Sequence, residues 1–135
     1  MPAAPIELIR SDALTDRAPY AYAAVAHDVS RLVFTAGACP LDADGNVVAP
    51  GDITQQTEQV MANLVVALAA AGARLTDVVK TTVYVASDHR PDLVAAWTVV
   101  AAKFGDHDAP STLLGVTTLD YPDQLVEVEA VAALR

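Results

Sequence analysis

Val126-Glu127-Val128-Glu129-Ala130-Val131-Ala132 is the stretch that decides how this sequence folds. Its β-branched residues favour a strand, in which successive side chains point to opposite faces. One face then carries Val126, Val128, Ala130 and Ala132; the other carries Leu125, Glu127, Glu129 and Val131. Val78–Val85 repeats the arrangement, with Val79, Thr81, Val83 and Val85 alternating with Val78, Lys80, Thr82 and Tyr84. An antiparallel sheet with one wet face normally alternates apolar with polar residues. Here both faces are apolar or β-branched, so both need cover.

Outward from these strands the period changes from two to that of a helix. Asp52 followed by Gln55 has capping-box spacing, and Val60, Met61, Leu64, Val65 and Leu68 then share one helical face. Gly72 is a natural stop. A second helix begins near Pro91, carries the stripe Leu93, Trp97, Val100, Ala101 and Phe104, and ends at Gly105. Further strands are expected over residues 6–10, 20–27, 31–38 and 111–118, with the opening stretch extended to 124–134. Asp28-Val29-Ser30 reads as a tight hairpin connection, and Asp42-Ala43-Asp44-Gly45-Asn46 as a turn.

The order is β-β-β-α-β-α-β-β. That is an α+β chain with a single mixed or antiparallel sheet of about six strands and two helices on one face. Two helices cover only that face. A second copy of the chain is the obvious cover for the other, so an oligomer is expected.

Composition narrows the function classes. The chain has 135 residues, room for one core, so residues 1–135 are expected to form a single domain. With 53% apolar and 19% charged residues it is far from a disordered composition. No apolar run approaches the ~20 residues that span a bilayer. Met1-Pro2-Ala3-Ala4-Pro5 lacks the basic-then-apolar pattern of a secretory signal. Cys39 is the single cysteine, which excludes an internal disulfide and suits a reducing compartment; a cytoplasmic location is expected. Net charge is −9 and the eight basic residues are scattered singly. Binding through nucleic-acid phosphates needs a basic face, so no nucleic-acid partner is expected. His27, His89 and His107 are isolated from one another and from Cys39, so no metal is expected.

Several segments, taken in order, resemble the Rid/YjgF family. Ala18-Pro19-Tyr20 resembles its Gly-Pro-Tyr segment, and Phe34-Thr35-Ala36-Gly37-Ala38-Cys39-Pro40 its Ser-Gly-Gln-hydrophobic-Pro segment. Val78–Val85 is similar to its central strand and residues 124–132 to its C-terminal signature. The resemblance implies a chorismate-mutase-like homotrimer with sheets inside, helices outside and a small-molecule cleft at each subunit boundary. It also implies hydrolysis of enamines and imines of 2-amino acids to 2-oxo acids and ammonia, without a cofactor.

The same resemblance implies roles for particular residues. Glu127 matches the family's active-site glutamate, which positions water and passes a proton to the departing amine; Glu129 shares its face. Independently of the family, a carboxylate within an apolar strand must be hydrogen-bonded, protonated or beside a wet cleft. Tyr20 matches the pocket tyrosine, and Gly37 a position where the backbone N–H approaches the substrate carboxylate. Cys39 reads as a small side chain rather than a nucleophile, since no histidine and acid stand beside it in sequence.

Four positions depart from the pattern. Thr112 stands where the family's imine deaminases carry the arginine that grips the substrate carboxylate. Ala36 replaces the serine before the motif glycine, Trp97 the asparagine of the second helix, and Leu114 the cysteine after the arginine segment. The carbonyl at Leu114 can still hold a water, because it does not depend on the side chain. A hydrogen bond to a charged group contributes about 1.5–3 kcal/mol, so losing the arginine costs roughly 10- to 150-fold in binding a 2-imino acid. The expectation is therefore a divergent enamine or imine hydrolase. The alternative is a trimer that binds a small apolar or weakly acidic metabolite without catalysis.

Overall fold

The computed structural model describes residues 6–135; residues 1–5, read above for a signal sequence, lie outside them. Nine segments follow in order: β1 (Ile6–Ile9), β2 (Ala23–Ala26), β3 (Arg31–Phe34), α1 (Ile53–Ala70), a 3-10 turn (Leu75–Asp77), β4 (Val78–Val85), α2 (Arg90–Phe104), β5 (Ser111–Gly115) and β6 (Val126–Leu134). The six strands and two helices stand in the expected order. Hydrogen bonding divides the strands into a four-stranded sheet, β3-β6-β4-β5, and a β1-β2 ladder. In the larger sheet β6 is antiparallel to β3 and β4, while β4 and β5 run parallel.

This pairing corrects the expected hairpin at Asp28-Val29-Ser30. β2 pairs with β1 and β3 pairs with β6, so the three residues hand the chain from one ladder to the other. Asp28 adopts a positive φ of 54° there, which Asp tolerates better than most residues. The Ser30 N–H donates to Leu134 O at 2.9 Å, already part of the β6 edge.

Both helices lie on one face of the sheet. Asp52 caps α1 by accepting from the Gln55 N–H at 3.0 Å. Val60, Met61, Leu64 and Leu68 are fully buried, but Val65 is exposed, at the edge of the apolar stripe. α1 and α2 pack with Val83, Val85, Val126, Val128, Ala130 and Ala132 into one cluster. Each fully buried Val, Leu or Met side chain contributes about 1.5–3 kcal/mol. Leu93, Trp97 and Phe104 of α2 close its edge.

A bulge revises one face assignment. Val78 pairs with Ala132 and Lys80 with Val131, so β4 advances two residues against one on β6. Val78 therefore turns inward with Thr81, Val83 and Val85, and Val79 is displaced to a half-buried position. The opposite face of the sheet carries no helix. Across it lie Phe34, Val131 and Lys80 in one row, Glu129, Thr82 and Thr112 in the next, and Glu127, Tyr84 and Leu114 in a third. Phe34 is 71% exposed, Leu32 56% and Leu114 43%, so this face presents large apolar side chains to solvent in the single chain.

Candidate functional site

The segment after β3 positions Gly37. Thr35 exchanges hydrogen bonds with Ala130, its N–H reaching Ala130 O at 3.0 Å. Ala38 then pairs with Val128, with N–H to O distances of 2.7 and 3.2 Å. Three residues advance here against two on β6, a β-bulge at Ala36–Gly37. The bulge presses Gly37 against Glu127: a Cβ at residue 37 would lie 2.0 Å from Glu127 Oε2 and 2.5 Å from its Cδ. Only glycine leaves room for that carboxylate. The Gly37 N–H has no hydrogen-bond partner among the described residues.

Two side chains hold the other carboxylate oxygen. Gln124 Nε2 donates to Glu127 Oε1 at 3.0 Å, and the Cys39 thiol donates to the same oxygen at 3.3 Å. Gln124 is itself buried, and its Oε1 accepts from the Tyr121 N–H at 3.1 Å. Burial first, and then the hydrogen bond to Glu127, push the Cys39 thiol from 9.0 up to about 11. A rise of about two units leaves the thiol protonated at neutral pH and cuts its thiolate fraction about 100-fold. Cys39 is therefore a donor and not a nucleophile. Iodoacetamide at pH 8 is expected to label it far more slowly than a free thiol, followed by mass spectrometry. Labelling at the rate of glutathione would contradict this environment.

On the same strand, Glu129 accepts a short hydrogen bond from the Tyr84 hydroxyl. That bond is the main cause of the raised Tyr84 pKa. Glu129 is thus committed across the ladder and does not touch the Gly37 bulge.

Tyr20, Trp97 and Thr112 gather separately. Tyr20 sits in the loop between β1 and β2, which is tied down where the Ala21 N–H donates to Asp108 O at 2.8 Å and Arg10 pairs with Asp108. Its ring meets Trp97 edge-on, with centroids 6.2 Å apart at 86°. Pro19, Ser111, Thr112 and Leu113 complete an open concavity of about 430 Å³ with these two rings. The Thr112 hydroxyl accepts from Lys80 Nζ at 2.7 Å. Leu114, two residues on, faces the open sheet beside Tyr84.

The structure thus forms two groups within one chain: Gly37 with Glu127, and Tyr20 with Trp97 and Thr112. Glu127 and Gly37 do not line the aromatic concavity. The Gln124–Glu127 bond carries no signal in the sequence, because side chains three residues apart on an extended segment normally point to opposite faces. Sequence reading also passed over Asn63, whose Nδ2 holds the Cys39 and Leu41 carbonyls at 2.8 and 2.9 Å. His107 bonds Val78 O and His27 pairs with Glu7, both structural contacts. Among the described residues no group of three or more His, Cys, Asp or Glu side chains is arranged to hold a metal ion.

Residues 11–134 match the family model described as Endoribonuclease L-PSP. The chain belongs to this family, also called Rid/YjgF. A RutC family protein of Pyrococcus horikoshii is 36% identical over 114 residues, covering 84% of this chain and 86% of that protein. A 2-iminobutanoate/2-iminopropanoate deaminase of Salmonella typhimurium is 32% identical over 111 residues, covering 80% and 84%. The crystal structure of YyfB, a Rid protein of Yersinia pestis, superposes with a TM-score of 0.83 at 31% identity, over 96% of this chain and 99% of that one. The Rid/YjgF fold and a kinship with imine deaminases are thereby established.

Proposed function

We propose that this Rid/YjgF protein is a cofactor-independent hydrolase of an enamine, imine or related conjugated metabolite, acting as one domain in a cytoplasmic homotrimer. The observation that supports this most is the Glu127 carboxylate, backed by glycine and held by two donors on a sheet face that no helix covers. A binding module does not need an acid so placed. In this reading Glu127 takes a proton from water as the oxygen attacks the imine carbon. It gives that proton to nitrogen to form a carbinolamine, then moves the carbinolamine hydroxyl proton to the same nitrogen, so that the C–N bond breaks to leave a carbonyl product and ammonia. The unpartnered Gly37 N–H serves the substrate's acidic group. Tyr20 and Trp97 supply an apolar wall that Thr112 lines, and Leu114 adds apolar surface on the open sheet face beside Tyr84.

The two groups of residues become one cleft when a second subunit lies on the open sheet face. Covering Phe34, Leu32 and Leu114 gives the association its driving force. Light scattering at micromolar concentration is expected to give a trimer mass. A monomer would remove the shared cleft.

The family's carboxylate-gripping arginine is threonine here, already bonded to Lys80. Hydrolysis of 2-aminoacrylate-type imines is therefore expected to be roughly 10- to 150-fold weaker than in arginine-bearing relatives. A coupled assay that traps the imine before it hydrolyses spontaneously measures this; equal turnover would contradict it. The endoribonuclease title of the family finds little support in this chain. Its net charge is −9, and Arg10, Lys103 and Arg135 are held in ion pairs, whereas phosphate-backbone binding needs free cations on one face.

A further inference from the structure

Glu127 has two chemically equivalent oxygens in solution, and the fold makes them different. Oε1 accepts from both Gln124 Nε2 and the Cys39 thiol, at 3.0 and 3.3 Å. Oε2 has no hydrogen-bond partner among the described residues. No buried side-chain oxygen there lacks a partner, so Oε2 is reached by solvent, in the space that Gly37 leaves by having no Cβ. We propose that Cys39 and Gln124 are positioning residues that tie down Oε1 and leave Oε2 as the single oxygen that exchanges a proton with substrate and water. This rests on the imine-hydrolysis reading and deepens it.

Both donors have reasons to face Oε1: the thiol's one proton has Glu127 Oε1 at 3.3 Å and the Gly37 carbonyl at 3.5 Å within reach, and the carboxylate is the nearer and the charged acceptor. The Gln124 amide cannot turn over without losing the Tyr121 N–H on its oxygen and the Val126 carbonyl, 3.1 Å from its nitrogen. The thiol keeps its proton across the neutral range because burial and the adjacent carboxylate oppose its ionisation. Cys39 is held in turn by Asn63, which anchors its carbonyl to α1. A carboxylate fixed at one oxygen presents the other with defined direction, which is what proton transfer at hydrogen-bond distance requires. The titratable groups around it are Cys39 on the bulged segment, Tyr84 across the ladder, Glu129 on its own strand, and Asp120, which acts on Cys39.

The test compares the Glu127 side-chain carboxyl resonance of 13C-labelled protein with turnover on an imine panel. Cys39→Ala and Gln124→Met are each expected to displace that resonance and to lower kcat more than they raise KM. Cys39→Ser keeps a donor and is expected to recover most of both effects, which a packing role would not produce. Thermal melting confirms that each variant is folded. An unmoved resonance in Cys39→Ala and Gln124→Met would overturn the proposal, and so would equal changes in Cys39→Ala and Cys39→Ser. A displaced resonance in a protein that turns over no imine would leave the positioning intact and remove the imine-hydrolysis reading instead.

Discussion

Glu127→Gln is expected to remove most turnover, about 10²- to 10⁴-fold, from a protein that keeps its oligomeric state and most of its ligand affinity. The substitution preserves volume and reach but removes the group that takes and returns a proton. The surroundings tolerate an amide in part, since an amide oxygen can still accept from Gln124 and Cys39. A structural Glu127 predicts the opposite pattern. Losing its charge would then lower the melting temperature or dissociate the subunits while leaving turnover alone. Calorimetry, light scattering and an imine assay on one purified variant separate the two. Unchanged turnover in an intact oligomer would remove Glu127 from the mechanism and favour the non-catalytic metabolite binder.

Gly37→Ala is the second large effect, and it reaches the same carboxylate from the other side. The new Cβ would sit 2.0 Å from Oε2, 2.5 Å from Cδ and 2.7 Å from Cγ of Glu127. The carboxylate must swing away, breaking its bonds to Gln124 and Cys39, or the bulge must shift. Overpacking of this kind typically costs about 1–3 kcal/mol of stability. A misplacement of about 1 Å at a reacting group can cost ~10²-fold in rate. The expected result is a folded protein, a few degrees less stable, with kcat reduced at least as much as that. Full activity would show that Glu127 works from a different rotamer or does not work at all.

How much of this was legible in the sequence depends on the range of the interaction. α1 was legible because a cap, an apolar stripe and a terminal glycine are all local. β4 and β6 were legible because the period of two survives for most of each strand. Val78 was misplaced because a bulge resets the period, and nothing in Val78-Val79-Lys80 marks which residue is extruded. Asp28-Val29-Ser30 was misread because hairpin and crossover begin with the same turn-forming residues; the partner of β3 lies about a hundred positions away. The resemblance singled out Glu127, Gly37, Tyr20, Trp97, Thr112 and Leu114. Their division into two groups is tertiary information, and so is the pairing of Cys39 with Glu127 across 88 positions.

Side-by-side progress curves for the wild-type protein and Glu127→Gln decide the central claim. The panel should hold freshly generated imines and enamines, with and without a carboxylate, and the reaction should be followed by release of ammonia and carbonyl product. The account predicts that the wild type accelerates at least one member of the panel above the spontaneous rate, and that Glu127→Gln loses that acceleration while still binding the compound. No acceleration by a folded, oligomeric wild type, or the same acceleration by the variant, would contradict it.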